Sequence, residues 1–337
     1  MLQKIIKNSF IFFLAGITLF STACARKSEE KTSIKVGVSV YDSHDTFISE
    51  LMSDFNEILA EKADDSGIAM SVDIRDAAWN QSTQNSNVED MLENGCDIIC
   101  VNLVDRTAPA AIIDLARQKN VPVIFFNREP VEGDLDRWEH LYYVGTDAEQ
   151  AGKLQGEIAA EAFREHPEYD KNGDGEIKYV MLEGESGHQD AIVRTEVSIA
   201  TVLEQGFKVK KLKSAIANWD RAQAFTKMEP IIEEFGDEIE LIMANNDDMA
   251  LGAVDAYESA GFLKDDRPVI VGIDGTKSGL MAIDKGDMFG TVYNDNEGQA
   301  RAMADLVYAE KVTGDLSEID FTEGRYIRVP HSKILGD

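Results

Sequence analysis

Cysteine and positive charge are both scarce in this sequence, and each shortage excludes a class of function. The 337 residues include 3 cysteines, and 33 Lys and Arg stand against 62 Asp and Glu, which gives a net charge of −29. A surface this acidic repels phosphate backbones and argues against nucleic acid as a partner. Cys96 and Cys100 fall in one apolar run that indicates a strand, where four residues span roughly 13 Å, too far for a disulfide. We therefore expect two buried thiols without chemistry.

A long apolar segment lies near the N-terminus, at residues 10–20. Lys4 and Lys7 precede it, and small residues follow it up to Cys24, which is the layout of a secretory signal. The segment is too short for a helix that spans a membrane in the mature protein. Removal of the signal takes away the two lysines and changes the net charge from −29 to −31. The protein is therefore predicted to act outside the cytoplasm.

Two cleavage sites are compatible with the end of this signal. The tetrapeptide STAC resembles a lipobox, in which cleavage precedes a cysteine that becomes lipidated, although Ser21 stands where leucine is usual. Cleavage after Ala25 is the alternative, since ACA also fits a signal-peptidase site, and it would leave a periplasmic protein. We favour the lipoprotein, with a signal peptide at 1–23, a lipid on Cys24 and a hydrophilic tether at 24–33. The protein would then be held on the extracytoplasmic face of the membrane.

Apolar, β-rich runs alternate with helical patterns along most of the chain, and no internal repeat is evident. Nearly continuous apolar strands separated by amphipathic helices predict parallel sheets covered by helices on both faces. About ten strands exceed what one compact sheet usually holds, so two α/β domains are expected. The predicted strands are IKVGVSV, MSVDI, CDIICVNL, VPVIFF, LYYVGT, IKYVML, FKVKKL, IELIMA, PVIVGI and FGTVY.

Polar side chains follow six of these strands directly, and ligands of open parallel sheets bind beyond the carboxyl ends of the strands. Phe47 and Trp219 lie close to two of these strand ends in the sequence. Carboxylates and amides can each bridge two vicinal hydroxyls, and aromatic rings cover the apolar faces of a sugar. This composition predicts a neutral, polyhydroxylated ligand. The segments are DSHDTF, NREP, EGESGHQDAIVR, NNDD, DGT and NDN.

Each of these residues also has an ordinary structural interpretation. Asp190, Asp247 and Asp274 stand at strand-to-helix junctions, where aspartate is a common N-cap. Trp219, taken alone, is more often a packing residue, and His188 is more often a hydrogen-bonded loop residue. The number of polar strand ends, more than any single residue, favours a ligand site.

Two further classes of function are disfavoured. His188, Asp190 and Arg194 could act as acid/base groups, and Asp45 with Asp274 could form a carboxylate pair. No Ser or Cys nucleophile in a recognisable setting accompanies them, so we expect no enzymatic activity. A transcriptional regulator is disfavoured because a signal, and not a basic helix-turn-helix, occupies the N-terminus.

From about Ser33 to Pro330 the chain resembles the periplasmic galactose/glucose-binding proteins of ABC transporters. The resemblance implies an α/β fold of two Rossmann-like parallel-sheet lobes joined by a three-crossing hinge, the periplasmic binding protein type I architecture. The motifs that carry it, in order, are YDSHDTF, VNLVD, VPVIFFNREP, YYVGTD, DKNGDGEIKYV, GESGHQDAIVRT, NWDRAQA, ANNDDMALGAV, VGIDGT and GTVYND.

The implied crossings lie near Thr146, Asn296 and Ile327, so that each lobe is discontinuous in sequence. The N-terminal lobe would comprise 34–145 plus 297–326, and the C-terminal lobe 147–295 plus 327–337.

The resemblance also implies a ligand set and a partner. In the family the carboxylate at the position of Asp45 serves the 4-hydroxyl in either configuration, so glucose and galactose would both bind. We expect a monomer that needs no cofactor, whose closed cleft is too small for a second sugar ring and which delivers sugar to an ABC permease. A sensor that presents sugar to a chemoreceptor or a histidine kinase is the alternative. The implied sugar-binding residues are Asp45, Phe47, Asn127, His188, Asp190, Arg194, Trp219, Asn246, Asp274 and Asn294, with Phe47 and Trp219 on the two faces of the ring.

Residues 170–178 resemble the calcium loop of the same family. The implied ligands are Asp170, Asn172, Asp174, the carbonyl of Glu176 and the distant Glu240. The family has a neutral ligand at the position of Lys178, whose ammonium cannot coordinate a cation and would repel it. Two possibilities stay open, a weak Ca²⁺ site and a loop in which Lys178 is an internal counter-charge, and we favour the second slightly.

Overall fold

The computed structural model describes residues 33–336. The predicted signal peptide and the lipidation site at Cys24 lie outside the described residues. The first strand begins at Ser33, so this residue belongs to a sheet and not to the predicted tether at 24–33. Among residues 33–336, none of the helices has the length and apolar content needed to cross a bilayer.

Strands and helices alternate through the described part of the chain, and all ten predicted strands are present. The strands are β1 (Ser33–Val40), β2 (Ala69–Asp76), β3 (Ile98–Val101), β4 (Val123–Phe126), β5 (Leu141–Gly145), β6 (Glu176–Glu183), β7 (Lys208–Ile216), β8 (Leu241–Ala244), β9 (Val269–Asp274), β10 (Gly290–Tyr293), β11 (Tyr326–Arg328) and β12 (Ser332–Leu335). The α-helices are α1 (Thr46–Ser66), α2 (Gln81–Glu93), α3 (Ala110–Lys119), α4 (Ala148–Glu165), α5 (Gln189–Glu204), α6 (Arg221–Phe235), α7 (Asp247–Ser259), α8 (Lys277–Lys285) and α9 (Asn296–Tyr308).

The strands form two six-stranded sheets, one in each lobe. The first has the order β11-β5-β4-β3-β1-β2 and the second the order β12-β10-β9-β8-β6-β7. Pairing is parallel throughout except for β12, which runs antiparallel to β10. Hydrophobic clusters cover both faces of each sheet, which explains why strands such as β3 read as continuous apolar runs. The two-lobed α/β fold expected from the sequence is confirmed.

Cys96 and Cys100 are buried free thiols, as predicted. Burial raises the pKa of the Cys100 thiol above its usual value, which keeps it protonated and unreactive at neutral pH.

Three segments connect the lobes. β5 ends at Gly145 in the first sheet, while Gln155 of α4 donates to the Ala244 carbonyl of the second; the chain therefore crosses between these points, in agreement with a crossing near Thr146. α9 begins at Asn296 and packs on α1 of the first lobe, which places the second crossing just before it.

The third crossing departs from the prediction. Ile327 pairs with Val144 in the first sheet, and the amide of Val329 still donates to the carbonyl of Gly145. The backbone of His331 is bonded to Gln150 of α4, and β12 joins the second sheet at Ser332. The chain thus crosses at 329–331 and not at Ile327, so residues 327 and 328 belong to the first lobe. The three- and four-residue strands β11 and β12 were too short to be recognised in the sequence.

Helix α4 packs unusually closely on α5, which carries part of the candidate site. A methyl group on Gly156 would lie 2.4 Å from the carbonyl oxygen of Ser198 and 2.6 Å from Cβ of Thr201. A methyl group on Gly152 would lie 2.9 Å from Cβ of Val197. Two glycines one helical turn apart therefore set the distance between these helices.

We expect Gly156→Ala to lower the free energy of unfolding by about 1–3 kcal/mol, because the added methyl group overpacks a contact with backbone. Urea unfolding followed by circular dichroism measures this difference. The control is Lys153→Ala on the exposed side of the same helix, where a change within about 0.5 kcal/mol is expected. Equal stability of Gly156→Ala and wild type would contradict the close contact.

Candidate functional site

A small cavity lies between the lobes, at the carboxyl ends of the strands. The volume that the centre of a water molecule can occupy in this cavity is about 40 Å³. This volume is several times what one water requires. Its walls are mostly polar or aromatic, and they include nine of the ten residues that the sequence analysis singled out. The lining residues are Tyr41, Asp45, Phe47, Ile48, Asn127, Arg128, His188, Asp190, Arg194, Trp219, Asn246 and Asp274.

On the side of the first lobe, Asp45 is fixed by two hydrogen bonds. Its Oδ1 accepts from the backbone amide of Ile48 at 2.9 Å, which makes it the N-cap of α1, and its Oδ2 accepts from the hydroxyl of Tyr41. Burial raises the pKa of the carboxyl, and these two hydrogen bonds act in the opposite direction. Phe47, in the first turn of α1, is 6% exposed. The first lobe thus presents a held carboxylate beside an aromatic ring.

Asn127 directly follows β4 and has a positive φ of 58°, a conformation that asparagine tolerates better than most residues. Its backbone amide donates to the carbonyl of Val144, and its Oδ1 accepts from Asn102 at 3.1 Å. The side-chain oxygen is therefore engaged by its own lobe. The NH2 group is the part of this side chain that suits a ligand acceptor.

On the side of the second lobe, His188 is the N-cap of α5. Its Nδ1 accepts from the backbone amide of Asp190 at 3.1 Å, so the proton of the neutral ring resides on Nε2. Burial lowers the pKa of His188 to about 3. The ring packs edge-on against Trp219, with 5.2 Å between the centroids. His188 is therefore a neutral side chain with one N–H donor.

Arg194 is buried in the second lobe, with 4% of its surface exposed. Its guanidinium donates to the carbonyl of Asn245 at 3.0 Å and to Asp190 at 3.3 Å, and it lies 4.0 Å from a carboxylate oxygen of Asp274. Its buried Nε has no hydrogen-bond partner among residues 33–336. An unpaired buried donor is costly, and a polar ligand in the cavity would relieve that cost.

Asp274 ends β9 with a positive φ of 122°. Its Oδ1 accepts from Asn294 at 3.3 Å, and Asn294 in turn accepts from Gln299 at 2.9 Å. Burial raises the pKa of Asp274 well above its usual value, and the charge of Arg194 opposes that rise. Asn294 is not part of the cavity lining, and it touches the site through Asp274. The structure thus brings nine of the predicted residues to the cavity and places the tenth behind one of them.

Trp219 lies at the edge of the cavity in a turn of positive φ, two residues before α6 begins at Arg221. The φ angles are 51° at Asn218 and 66° at Trp219, and Asp220 is the N-cap. A methyl group on Gly184 would lie 2.2 Å from the indole ring. Only glycine therefore leaves room at position 184 for the ring to lie over the end of β6.

The N-caps of α5, α7 and α8 are not the three aspartates for which capping was the ordinary interpretation. His188 and Asn246 cap α5 and α7, and Thr276 caps α8, so Asp190, Asp247 and Asp274 are not N-caps. Asp247 is instead a buried acceptor for Thr276 and Thr291. The carboxylates of Asp190 and Asp274 are left to face Arg194 and the cavity.

Three lining residues were missed by the sequence analysis, Tyr41, Ile48 and Arg128. The guanidinium of Arg128 lies 3.6 Å from the centroid of the Tyr41 ring and forms an ion pair of 3.0 Å with Glu185 of the opposite lobe. Thr46 makes a second contact between the lobes by donating to Asp248 at 2.6 Å. Arg128 directly follows Asn127 at a strand end, so its position was the one signal available. These contacts hold the cleft in a closed arrangement.

The loop at 170–178 has the turn that its sequence predicts, and one of its carboxylates is paired with Lys178. Asp170 accepts from the backbone amides of Gly173 and Gly175, both at 2.9 Å. The ammonium of Lys178 lies 3.3 Å from Asp174, and the amide of Lys178 donates to Glu240 at 2.9 Å. The lysine thus neutralises a carboxylate that a cation would need, so these residues fit Ca²⁺ poorly.

Comparison with known proteins identifies relatives over nearly the whole folded chain. Residues 36–314 match the family model of the periplasmic binding protein domain. The D-galactose/methyl-galactoside binding periplasmic protein of Haemophilus influenzae is 36% identical over 273 residues, which cover 81% of this chain and 80% of that protein. The ribose import binding protein of Escherichia coli is 30% identical over 219 residues, which cover 65% of this chain and 67% of that protein.

Solved structures share the two-lobed architecture. An ABC transporter solute binding protein from Bacillus halodurans with bound myo-inositol has a TM-score of 0.73 at 27% identity, over 91% of this chain and 96% of that one. A periplasmic solute binding protein from Actinobacillus succinogenes with bound D-allose has a TM-score of 0.75 at 21% identity, over 89% and 97%. The second likeness concerns the fold alone. Together they confirm the periplasmic binding protein type I fold.

Since burial lowers the pKa of His188 to about 3, we expect its imidazole to stay neutral from pH 8 to pH 5. A histidine in the unfolded chain has a pKa near 6.5, so His188 binds a proton more readily in the unfolded state than in the folded state. The stabilising contribution is therefore complete above pH 6.5 and is lost as the pH falls from 6.5 towards 3.

NMR of the His188 ring protons, assigned with His188→Gln, measures this directly. Chemical shifts that stay constant from pH 8 to pH 5 are expected. A titration midpoint near 6.5 would contradict the buried, neutral ring.

Proposed function

Since this chain belongs to the periplasmic binding protein family, we propose that it captures D-galactose or D-glucose in the interlobe cavity and delivers the sugar to an ABC importer. Members of this family are extracytoplasmic sugar-binding proteins of such importers and not enzymes. The expected absence of enzymatic activity is thereby confirmed. The coarse function, sugar binding for ABC transport, follows from the family, and the identity of the sugar is our proposal.

One observation supports the proposal most strongly: aromatic rings and polar side chains line the same small cavity. Phe47 comes from the first lobe and Trp219 from the second, which suits the two apolar faces of a pyranose. The same cavity is lined by carboxylates, by amides and by Arg194, whose buried Nε has no hydrogen-bond partner among residues 33–336. These groups match the alternating donors and acceptors of a neutral polyol.

Relatives support a hexose more than another sugar. The relative with 36% identity is described as binding D-galactose and methyl-galactoside, and ribose-binding relatives have 30% identity or less. All ten residues of the predicted ligand set lie at the cavity or directly behind it. Asp45, the residue proposed for the 4-hydroxyl, is held by Tyr41 and the start of α1.

Capture is proposed to proceed by closure of the lobes. Thr46 and Arg128 of the first lobe contact Asp248 and Glu185 of the second, and Arg128 also lines the cavity. Sugar bound to one lobe would complete the polar contacts of the other and shift the equilibrium towards this closed form. The closed form is the shape that the permease would recognise. We further propose that a lipid on Cys24 keeps the protein near that permease, outside the cytoplasm.

We expect glucose and galactose to bind in a one-to-one ratio and more tightly than ribose, in isothermal titration calorimetry. Trp219→Ala should weaken hexose binding by roughly 1–3 kcal/mol, because it removes one stacking face. Trp219→Phe is the matched control, since it keeps an aromatic face and should lose less affinity.

Tight binding of ribose with neither hexose bound would contradict the proposed ligand. A Trp219→Ala variant that unfolds while its remaining folded fraction binds hexose normally would show that the ring is a packing residue.

For the loop at 170–178, we propose that Lys178 replaces a cation. The ammonium is 3.3 Å from Asp174 and its side chain is 13% exposed, so it is well placed to offset the acidic groups of the loop. Glu240, whose pKa is raised by burial, accepts from the backbone of Lys178 and ties the loop to β8. The loop would then be held in place without metal.

Thermal unfolding in chelator and in millimolar Ca²⁺ tests this replacement. We expect little difference for wild type and a higher melting temperature of Lys178→Gln in Ca²⁺, because a neutral ligand lets the cation bind and stabilise the folded state. Lys171→Gln in the same loop is the control, since the Lys171 ammonium donates to the carbonyl of Asp266, whereas that of Lys178 is paired with Asp174. A wild-type protein that loses many degrees in chelator would contradict the replacement.

A further inference from the structure

A second cavity adjoins the first at the mouth of the cleft. It leaves about 470 Å³ open to the centre of a water molecule, and Tyr41, Asp45 and Trp219 line both cavities. We call it the outer cavity. Its remaining walls include Trp79 of the first lobe and Asp220 and Gln223 of the second.

We propose that the outer cavity binds a second sugar ring, linked to the monosaccharide in the inner cavity. The proposal rests on the proposed function, since the first ring must occupy the inner site. It revises the expectation, drawn from the sequence, that the closed cleft is too small for a second ring.

The two tryptophans of the outer cavity come from turns of the same local structure in the two lobes. The segments AAWN (77–80) and ANWD (217–220) each follow the second strand of their sheet. Both have positive φ at the tryptophan and at the residue before it, of 48° and 61° in the first turn and 51° and 66° in the second. Each turn is closed by a 3.0 Å hydrogen bond between its fourth and first residues. The sequence analysis found no repeat because the likeness is confined to four residues.

Trp79 is held rigidly without being buried. Its Nε1 donates to Asp42 at 2.8 Å, its backbone amide donates to the carbonyl of Tyr41 at 2.9 Å, and its ring packs edge-on against Tyr41 at 4.6 Å. The side chain remains 40% exposed, and it belongs to none of the hydrophobic clusters of the described residues. A fixed, exposed indole loses little conformational entropy when a ring stacks on it.

The polar walls favour a neutral ring over an anionic one. Asp42, Asp45, Glu185, Asp220 and Asp248 all line the outer cavity, and His44 is the basic residue among the lining side chains. Carboxylates accept hydrogen bonds from sugar hydroxyls and repel uronate or phosphate groups. The volume suits one additional ring, as binding sites of about 300 Å³ or more hold small organic ligands.

Calorimetry with glucose, galactose, cellobiose, lactose and melibiose, on wild type, Trp79→Ala and Trp79→Phe, tests the second ring. We expect at least one disaccharide to bind wild type with an affinity within about tenfold of its best monosaccharide. Trp79→Ala should weaken that disaccharide by roughly tenfold and change monosaccharide binding by less than about twofold. Trp79→Phe should keep most of the disaccharide affinity, because it keeps a ring.

Acrylamide quenching of tryptophan fluorescence in wild type gives a readout that needs no variant. The disaccharide should protect more tryptophan emission than the monosaccharide does, since only the disaccharide covers Trp79. Equal protection by both would overturn the proposal even if Trp79→Ala failed to fold.

The remaining outcomes separate the two proposals. Binding of glucose or galactose without any disaccharide would overturn the second ring and leave the proposed function intact. Absence of all sugar binding would refute the proposed function, and the second ring with it. An equal loss of monosaccharide and disaccharide affinity in a folded Trp79→Ala protein would place the effect of Trp79 on the inner cavity, against the proposal.

Discussion

Arg194 is a charged side chain that is almost inaccessible to water. The hydrogen-bond and ion-pair partners that it requires determine much of the arrangement of the second lobe's side of the cleft. Leaving a buried guanidinium without partners costs several kcal/mol, so it is surrounded by the Asn245 carbonyl and by the carboxylates of Asp190 and Asp274. Asn245 is itself fixed, since its Oδ1 accepts from the amide of Gly184. The ends of β6, β8 and β9 are thereby tied to α5 around one charge, which gives the cavity a rigid wall.

Whether a strand can be predicted from the sequence depends on whether the contacts that stabilise it leave a pattern in its own residues. Buried strands such as β3 contain only apolar residues, because helices cover both faces of the sheet, and this pattern is visible without a structure. β11 and β12 are short, contain Arg328 and Lys333, and are partly exposed, so nothing in their composition marks them. The error at the third crossing followed directly from missing β11.

The candidate site shows the same division. Its polar residues were found because they follow strands, and the fold brings the ends of parallel strands together. Arg128 was missed because its ion-pair partner, Glu185, belongs to the other lobe, and no local pattern encodes a contact that forms only on closure. The caps of α5 and α7 lie one or two residues before the aspartates for which capping was the ordinary interpretation, at His188 and Asn246. That small offset decides whether a carboxylate is used by its own helix or faces the cavity.

The three crossings also constrain how the chain can be made and exported. The sheet of the first lobe is complete only when β11, at 326–328, is available, and that of the second lobe only when β12, at 332–335, is available. A ribosome must therefore release the chain through residue 328 before the first sheet can close, and through residue 335 before the second can, although domains with continuous sequences begin to fold during synthesis. This order suits an exported chain. A translocation channel accepts unfolded polypeptide, and a chain whose sheets are still incomplete has not finished folding when it reaches the channel.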